Sequence, residues 1–203
     1  MNEIGLFPLN VVLLPGERLP LHIFEERYKE LVGECLDNAG EFGLLFAEET
    51  EFRTIGTSAR VTDVLNRYDD GRMDIVVEGR ERFRVTRIVE TRSFLTAEVQ
   101  PFADSQSGVD PKLVADCMSA LERVAQATGT DATAVGVEGD NVAWQIASQI
   151  DFGAEFKQQL LEMQTENERL EQLAEALDEA ATAIARQKEI RERAAGNGKV
   201  DHL

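Results

Sequence analysis

The side chains that could carry catalysis in this chain are few and far apart. His22 and His202 are its only histidines. A zinc site needs several His or Cys ligands at short, regular spacing, and neither histidine has a second one or a thiol pair nearby. Cys35 and Cys117 each fall on an apolar helical stripe, which reads as two small buried hydrophobes and not as a disulfide. A Ser-His-Asp relay would have to recruit His22, and no serine has the surroundings of an activated nucleophile. Glu25, Glu26 and Arg27 resemble an acid–base set, but neighbouring helical positions point apart, so two such carboxylates cannot converge on one atom. Their expected role is structural, with Glu25 or Arg27 fixing a helix. Arg80, Arg82 and Arg84 recur at a spacing of two, so in a regular strand they share one face. That face is the best candidate for a local positive patch able to dock an acidic peptide or an RNA phosphate. With Glu78 on the same side, a solvated strand face is the plainer reading. No G-x-x-x-x-G-K-[ST] loop is present to cradle nucleotide phosphates. The expectation is a protein without catalytic residues, cofactor or metal.

Bulk composition narrows the partners. The 203 residues carry a formal net charge of −17, with 43% hydrophobic residues. Residues 1–103 hold 12 Lys and Arg against 19 Asp and Glu, and residues 104–203 hold 9 against 19. Neither half offers the concentrated basic surface that nucleic-acid binding requires. No apolar run reaches transmembrane length, and Met1-Asn2-Glu3 lacks the start of a signal peptide, so the sequence reads as cytoplasmic.

Positioning falls to two kinds of element. Residues 4–14 and 43–47 are apolar runs suited to buried strands. Pro15-Gly16 suits a type II turn, because Pro presets φ and Gly tolerates φ > 0. The extended piece after it is expected to stop at Pro20, with a helix from near His22. On that helix Phe24, Tyr28, Leu31 and Cys35 form one apolar face, and Gly40 provides the exit. From Thr54 to Val99 the texture is β, with a hairpin signal at Asp69-Asp70-Gly71 and an interruption at Gly79 that marks a bulge or bend. About six short strands with one inserted helix predict a small, partly open barrel.

Beyond a polar linker at 101–110, helices take over. Asp110-Pro111 supplies an N-cap and an N1 proline, opening a helix that ends at Gly129, and a shorter helix runs from about Asp140 to Ile150. From Ala154 to Ala195 there is no proline or glycine, which as one helix would span ~60 Å. Phe156, Leu160, Met163, Asn167, Leu170, Ala174, Leu177, Ala181 and Ile184 alternate in steps of four and three, as a coiled-coil seam does. Gly196-Asn197-Gly198-Lys199 reads as the start of a disordered tail.

Ordered motifs tie these segments together. The opening Leu6-Phe7-Pro8-Leu9, the Pro15-Gly16 turn and Pro20-Leu21-His22-Ile23-Phe24-Glu25-Glu26-Arg27-Tyr28 resemble the start of the Lon protease N-terminal domain family, whose members run P-L-F-P-L, P-G and P-L-x-I-F-E-x-R-Y. Phe42-Gly-Leu-Leu45, Ile55-Gly-Thr-Ser-Ala-Arg-Val61, Gly79-Arg-Glu-Arg-Phe-Arg-Val85, Phe94-Leu-Thr-Ala-Glu-Val99, Val142-Ala-Trp-Gln-Ile-Ala147, Lys157-Gln-Gln-Leu-Leu-Glu162 and Arg169-Leu170 are similar to later family signatures, in the same order, so the resemblance covers about residues 4–178. It implies a PUA-like β-barrel followed by a helical bundle, which agrees with the α+β organisation read from the residues: a small β-barrel with one inserted helix (1–103), a helical bundle ending in a long helix (104–195) and a disordered tail (196–203). It also implies a stand-alone version of the substrate-recognition domain, without ATPase or protease modules.

The function expected from that resemblance is non-enzymatic binding of unfolded or degradation-prone polypeptides, passing clients to a protease or acting as an adaptor. Apolar surface between the β lobe and the helical lobe would do the binding. The candidate peptide-binding residues are Phe24, Glu25, Arg27, Tyr28, Arg82 and Phe83, although the helical pattern places Phe24 and Tyr28 in the core. The alternatives are RNA binding, because PUA-like barrels elsewhere recognise RNA, and a dimeric scaffold through the C-terminal helix, with Asn167 fixing register; otherwise the chain is a monomer or weak homodimer. Acidic surroundings favour basic or hydrophobic clients.

Overall fold

The computed structural model describes residues 2–48, 51–89, 92–105, 107–130, 136–137 and 141–197. His202, the last six tail positions and the expected helix start at Asp140 lie outside them. The chain forms two compact units. One comprises Met1–Ser105 with Trp144–Gln164, and the other Gln106–Ala143 with Thr165–Leu203.

The first unit is built on seven strands: β1 (Asn2–Leu9), β2 (Arg18–Ile23), β3 (Phe42–Glu48), β4 (Glu51–Phe52), β5 (Ile55–Arg67), β6 (Met73–Val89) and β7 (Thr96–Pro101), with helix α1 (Glu26–Asn38) between β2 and β3. The first half of β1 pairs antiparallel with β7, and its second half pairs parallel with β3. The hydrogen-bonded path β1-β7-β6-β5-β3 therefore returns to β1, while β2 hangs on β6 and β4 on β3. The result is a mixed sheet closed through β1 but carrying two extra strands, not a clean barrel. Leu6 and Phe7 point to opposite faces, as successive strand residues must, and both are buried. Phe7 joins Tyr28, Leu31, Val32, Phe42 and Ile75 beneath α1. Leu6 joins Leu45, Phe83, Ala97 and Val99 in a second cluster.

Two sequence expectations change here. Pro20 does not halt the second strand: it pairs with Val76 inside β2. Among the described residues β2 pairs only with β6, so the missing proline N–H faces away from the ladder, where an edge strand tolerates it. The helix consequently starts at Glu26, and His22 lies on a strand. The segments 73–77 and 82–89, read from the sequence as separate strands, are one strand, β6, and the bulge expected near Gly79 is present, with Arg80 and Glu81 together facing Ser58.

Backbone closeness explains the residue just before that bulge. The Pro15-Gly16 turn forms as expected, with Gly16 at φ 78° and the Glu17 N–H donating to the Leu14 carbonyl (3.0 Å). This turn lies against Gly79: the Gly16 N–H donates to the Gly79 carbonyl (2.8 Å), and the Gly79 N–H donates to the Glu17 carbonyl (2.9 Å). A Cβ on Gly79 would sit 2.1 Å from the Leu14 carbonyl oxygen. Because that obstacle is backbone, Gly79→Ala should force the turn off β6 and cost about 2 kcal/mol, read as a lower urea midpoint with unchanged m-value. An unchanged midpoint would show that the turn shifts freely.

Helix α4 (Ala154–Glu162) also belongs to this unit. The buried Gln158 amide donates to the Ile55 carbonyl (3.2 Å), and Lys157 forms a half-buried ion pair with Glu17 (2.6 Å). Helix α3 (Val142–Ala147) precedes it.

The second unit packs α2 (Pro111–Thr128) along α5 (Glu166–Asn197). The Asp110 carboxylate caps α2 by accepting from the Lys112 N–H (2.8 Å), and Gly129 closes it at φ 77°. The run from 154 to 195 is not one helix: it breaks at 163–165. Thr165 and Glu168 form a reciprocal capping box, with the Thr165 N–H donating to Glu168 (3.0 Å) and the Glu168 N–H donating to the Thr165 hydroxyl (3.2 Å). That device starts a new helix without proline or glycine. The buried stripe of α5 accordingly runs through Arg169, Leu170, Leu173, Leu177 and Ala181. Asn167 binds within its own unit, accepting from the Asp110 N–H (2.9 Å) and donating to the Gly108 carbonyl (3.1 Å). Gly196 and Asn197 continue α5.

Candidate polypeptide-binding surface

Strand register aligns His22 on β2, Asp74 on β6 and Asn66 on β5 in one row across three strands. Asp74 is the hub. It accepts from His22 Nδ1 (2.6 Å), the Tyr68 hydroxyl (2.7 Å) and the Asn66 amide (3.0 Å). The hydrogen bond from His22, then those from Tyr68 and Asn66, hold the Asp74 carboxyl down at about 2. Its folded-state value lies below the ordinary carboxylate range. The contribution of this network is therefore complete above about pH 4 and is lost as pH falls through 2.

That hub supports a ledge of aromatic side chains. The Phe24 ring stacks on His22, with centroids 5.9 Å apart and planes 22° from parallel, while Tyr68 meets His22 edge-on at 6.2 Å. Arg72 lies over Tyr68 at 5.0 Å and pairs with Asp70 (2.7 Å). Phe24 is 60% exposed and Tyr68 40%. The helical pattern put Phe24 in the core. It is exposed because the chain is still leaving β2 at residue 24, two positions before α1 begins. Tyr28 is buried as expected and stacks on Phe7 (3.9 Å).

The remaining candidate residues separate. Glu25 precedes α1 without capping it through its side chain, and it pairs with Arg27 (2.8 Å), whose guanidinium lies 4.5 Å over the Tyr28 ring. Phe83 is buried in the second core cluster. Arg82 is 7% exposed. Its guanidinium donates to the Leu161 (2.7 Å) and Met163 (2.6 Å) carbonyls at the end of α4, pairs with Asp104, and lies over the Phe102 and Trp144 rings. Arg80 instead pairs with Glu78 at the surface, and Arg84 lies over Phe102. The three arginines do not form one patch, because the bulge at 80–81 shifts the alternation between Arg80 and Arg82. Sequence reading missed His22, Tyr68 and Asp74 as ledge residues; the signal was Tyr68 immediately before the Asp69-Asp70-Gly71 turn, which brings β5 and β6 together there.

The unpaired strand edges beside the ledge are guarded. β2 carries Pro20, and β5 has register shifts at 61–63 and 64–66. Prolines and bulges blunt edge-to-edge pairing, so contacts here run through side chains. Among the described residues no group of three or more His, Cys, Asp or Glu could hold a metal ion, and no helix is long and apolar enough to cross a membrane.

Comparison with known proteins agrees with this architecture. Residues 3–179 match the family model described as the ATP-dependent protease La (LON) substrate-binding domain. Among curated relatives, a Lon protease of Anaeromyxobacter dehalogenans is 27% identical over 194 residues, covering 86% of this chain and 23% of that protein. One of Paraburkholderia phytofirmans is 26% identical over 204 residues, covering 92% and 25%. The chain thus spans about a quarter of the length of these relatives. The crystal structure of a Lon N-terminal domain protein from Xanthomonas campestris superposes with a TM-score of 0.67 at 29% identity, covering 85% of this chain and 97% of that one. The N-terminal domain of the Mycobacterium avium complex Lon protease shares the fold, with a TM-score of 0.67 at 17% identity. The chain belongs to the LON substrate-binding domain family.

Proposed function

We propose that this chain is a non-enzymatic recognition module that binds unfolded or degradation-prone polypeptide for delivery to a protease. The observation that carries the reading is the Phe24 ledge: a large ring, 60% exposed, held in place by His22 and Asp74. An exposed aromatic anchor on a rigid support is what a protein-binding hot spot requires. Glu25 and Arg27 flank it and supply a polar rim. The sheet closed through β1, with α1 inserted after β2, supports a PUA-like reading of the β unit. The net charge of −17 favours a polypeptide over RNA as the partner.

Phe24→Ala tests this directly. The side chain lies outside the core clusters, so folding stability should be unchanged, whereas affinity for a chemically unfolded, labelled client protein should fall about tenfold. Fluorescence anisotropy reads the affinity and a thermal melt checks the fold. Equal binding by the wild type and Phe24→Ala would remove the ledge from the function.

A further inference from the structure

A cavity of about 850 Å³ opens in the first unit and shares no lining residue with the Phe24 ledge. Its lining is mainly polar: Phe46, Ile55 and Phe102 are buried behind it, and Phe52, 45% exposed, is the apolar side chain that it presents. Three carboxylates line it as well: Glu48, Glu51 and Glu162. Glu48 and Glu51 face each other directly across the β3–β4 pair, a like-charge juxtaposition that is unfavourable unless a cation relieves it. Among the described residues neither forms an ion pair. Two guanidiniums also line the cavity: Arg53 pairs with Glu155 (2.5 Å) and is attracted more weakly to Glu162 and Glu48, and Arg84 lies over the Phe102 wall (4.7 Å), so Glu51 is the carboxylate without a cation beside it among the described residues.

We propose that this cavity receives a Lys or Arg side chain of the bound polypeptide between Glu48 and Glu51, with the neighbouring aromatic or large aliphatic residue of that segment against Phe52. The inference rests on the polypeptide-binding reading above and adds a preference to it: clients in which a basic residue adjoins a large apolar one. A cation supplied there offsets the Glu48–Glu51 repulsion, and the exposed Phe52 ring takes up the apolar neighbour together with the methylene stem of the basic side chain.

The test uses the whole chain and two short fluorescein-labelled peptides, one repeating leucine, phenylalanine and arginine, the other with glutamate at every arginine. Anisotropy in about 50 mM salt should show the arginine peptide binding about tenfold more tightly than its acidic counterpart. The double substitution Glu48→Lys with Glu51→Lys, both at a surface hairpin, should weaken the arginine peptide about tenfold and reverse the preference. Equal affinity for the two peptides, or an arginine peptide indifferent to the double substitution, overturns the inference. If unfolded clients still bind in a Phe24-dependent way in that case, only the cavity assignment falls. If no unfolded client and neither peptide binds, the polypeptide-binding reading falls with it.

Discussion

Replacing Arg82 by leucine should lower the unfolding midpoint of the first unit by about 10 °C, corresponding to about 3 kcal/mol. The reasoning starts from what the guanidinium does. It sits 7% exposed and caps two carbonyls that the end of α4 cannot satisfy for itself, those of Leu161 and Met163. It also pairs with Asp104 and lies over the Phe102 and Trp144 rings. The side chain thus joins four stretches of the first unit: β6, the segment just after β7, Trp144 in α3 and the end of α4. Leucine would fill part of the volume but remove the donor from the buried Leu161 contact and the cation beside partly exposed Asp104, and losing the donor to a buried carbonyl costs more than the bond itself contributes. Arg82→Lys should recover little of the loss, because an ammonium cannot reproduce a planar fork serving several acceptors. A melt within 2 °C of wild type for Arg82→Leu would show that solvent replaces these contacts.

The second unit contains an equally exacting pair. Glu166, in the first turn of α5, accepts from the Ala143 N–H (2.8 Å) and from Arg169 through Nε (3.1 Å) and Nη2 (3.0 Å). Arg169 is fully buried and Glu166 is 7% exposed. Substituting Glu166 by alanine removes the carboxylate beside a guanidinium that has no access to water, for which about 3–5 kcal/mol is expected. Replacing both residues with leucine should restore much of that loss, since apolar side chains of similar volume can substitute for a buried ion pair. Chemical denaturation of the two variants side by side separates the possibilities. If the single and double substitutions cost the same, the damage comes from the Ala143 contact or from packing rather than from loss of the ion pair.

The Arg82 network bears on how the proposed recognition surface is kept. Arg82, one of the residues expected to contact a client, acts instead inside the unit that carries the Phe24 ledge and the Glu48–Glu51 cavity. Its loss should therefore reduce binding only through unfolding, with normal affinity at temperatures well below the new midpoint.

The features legible in the sequence are those whose cause lies within a few residues. Pro15-Gly16, Asp70-Gly71 and Asp110-Pro111 each encode backbone angles or a cap locally, and the structure has a turn, a hairpin and a helix start at those places. The Thr165–Glu168 capping box was equally local, but it was obscured by a run that looked uninterrupted for want of proline and glycine. The ordered motifs shared with Lon proteins also stood in the sequence, and with them the family.

Burial at the site was decided elsewhere. Spacing placed Phe24 on an apolar helical face and three arginines on one strand face, yet Phe24 lies on no helix and Arg82 is buried while Arg80 is not. Strand periodicity holds only while register holds, and the bulge opposite Ser58 breaks it. Likewise His22, Asn66, Tyr68 and Asp74 converge only because β2, β5 and β6 lie side by side. Which polar groups meet depends on partners distant in the chain, and that choice is made when the sheet closes and not by the residues on either side.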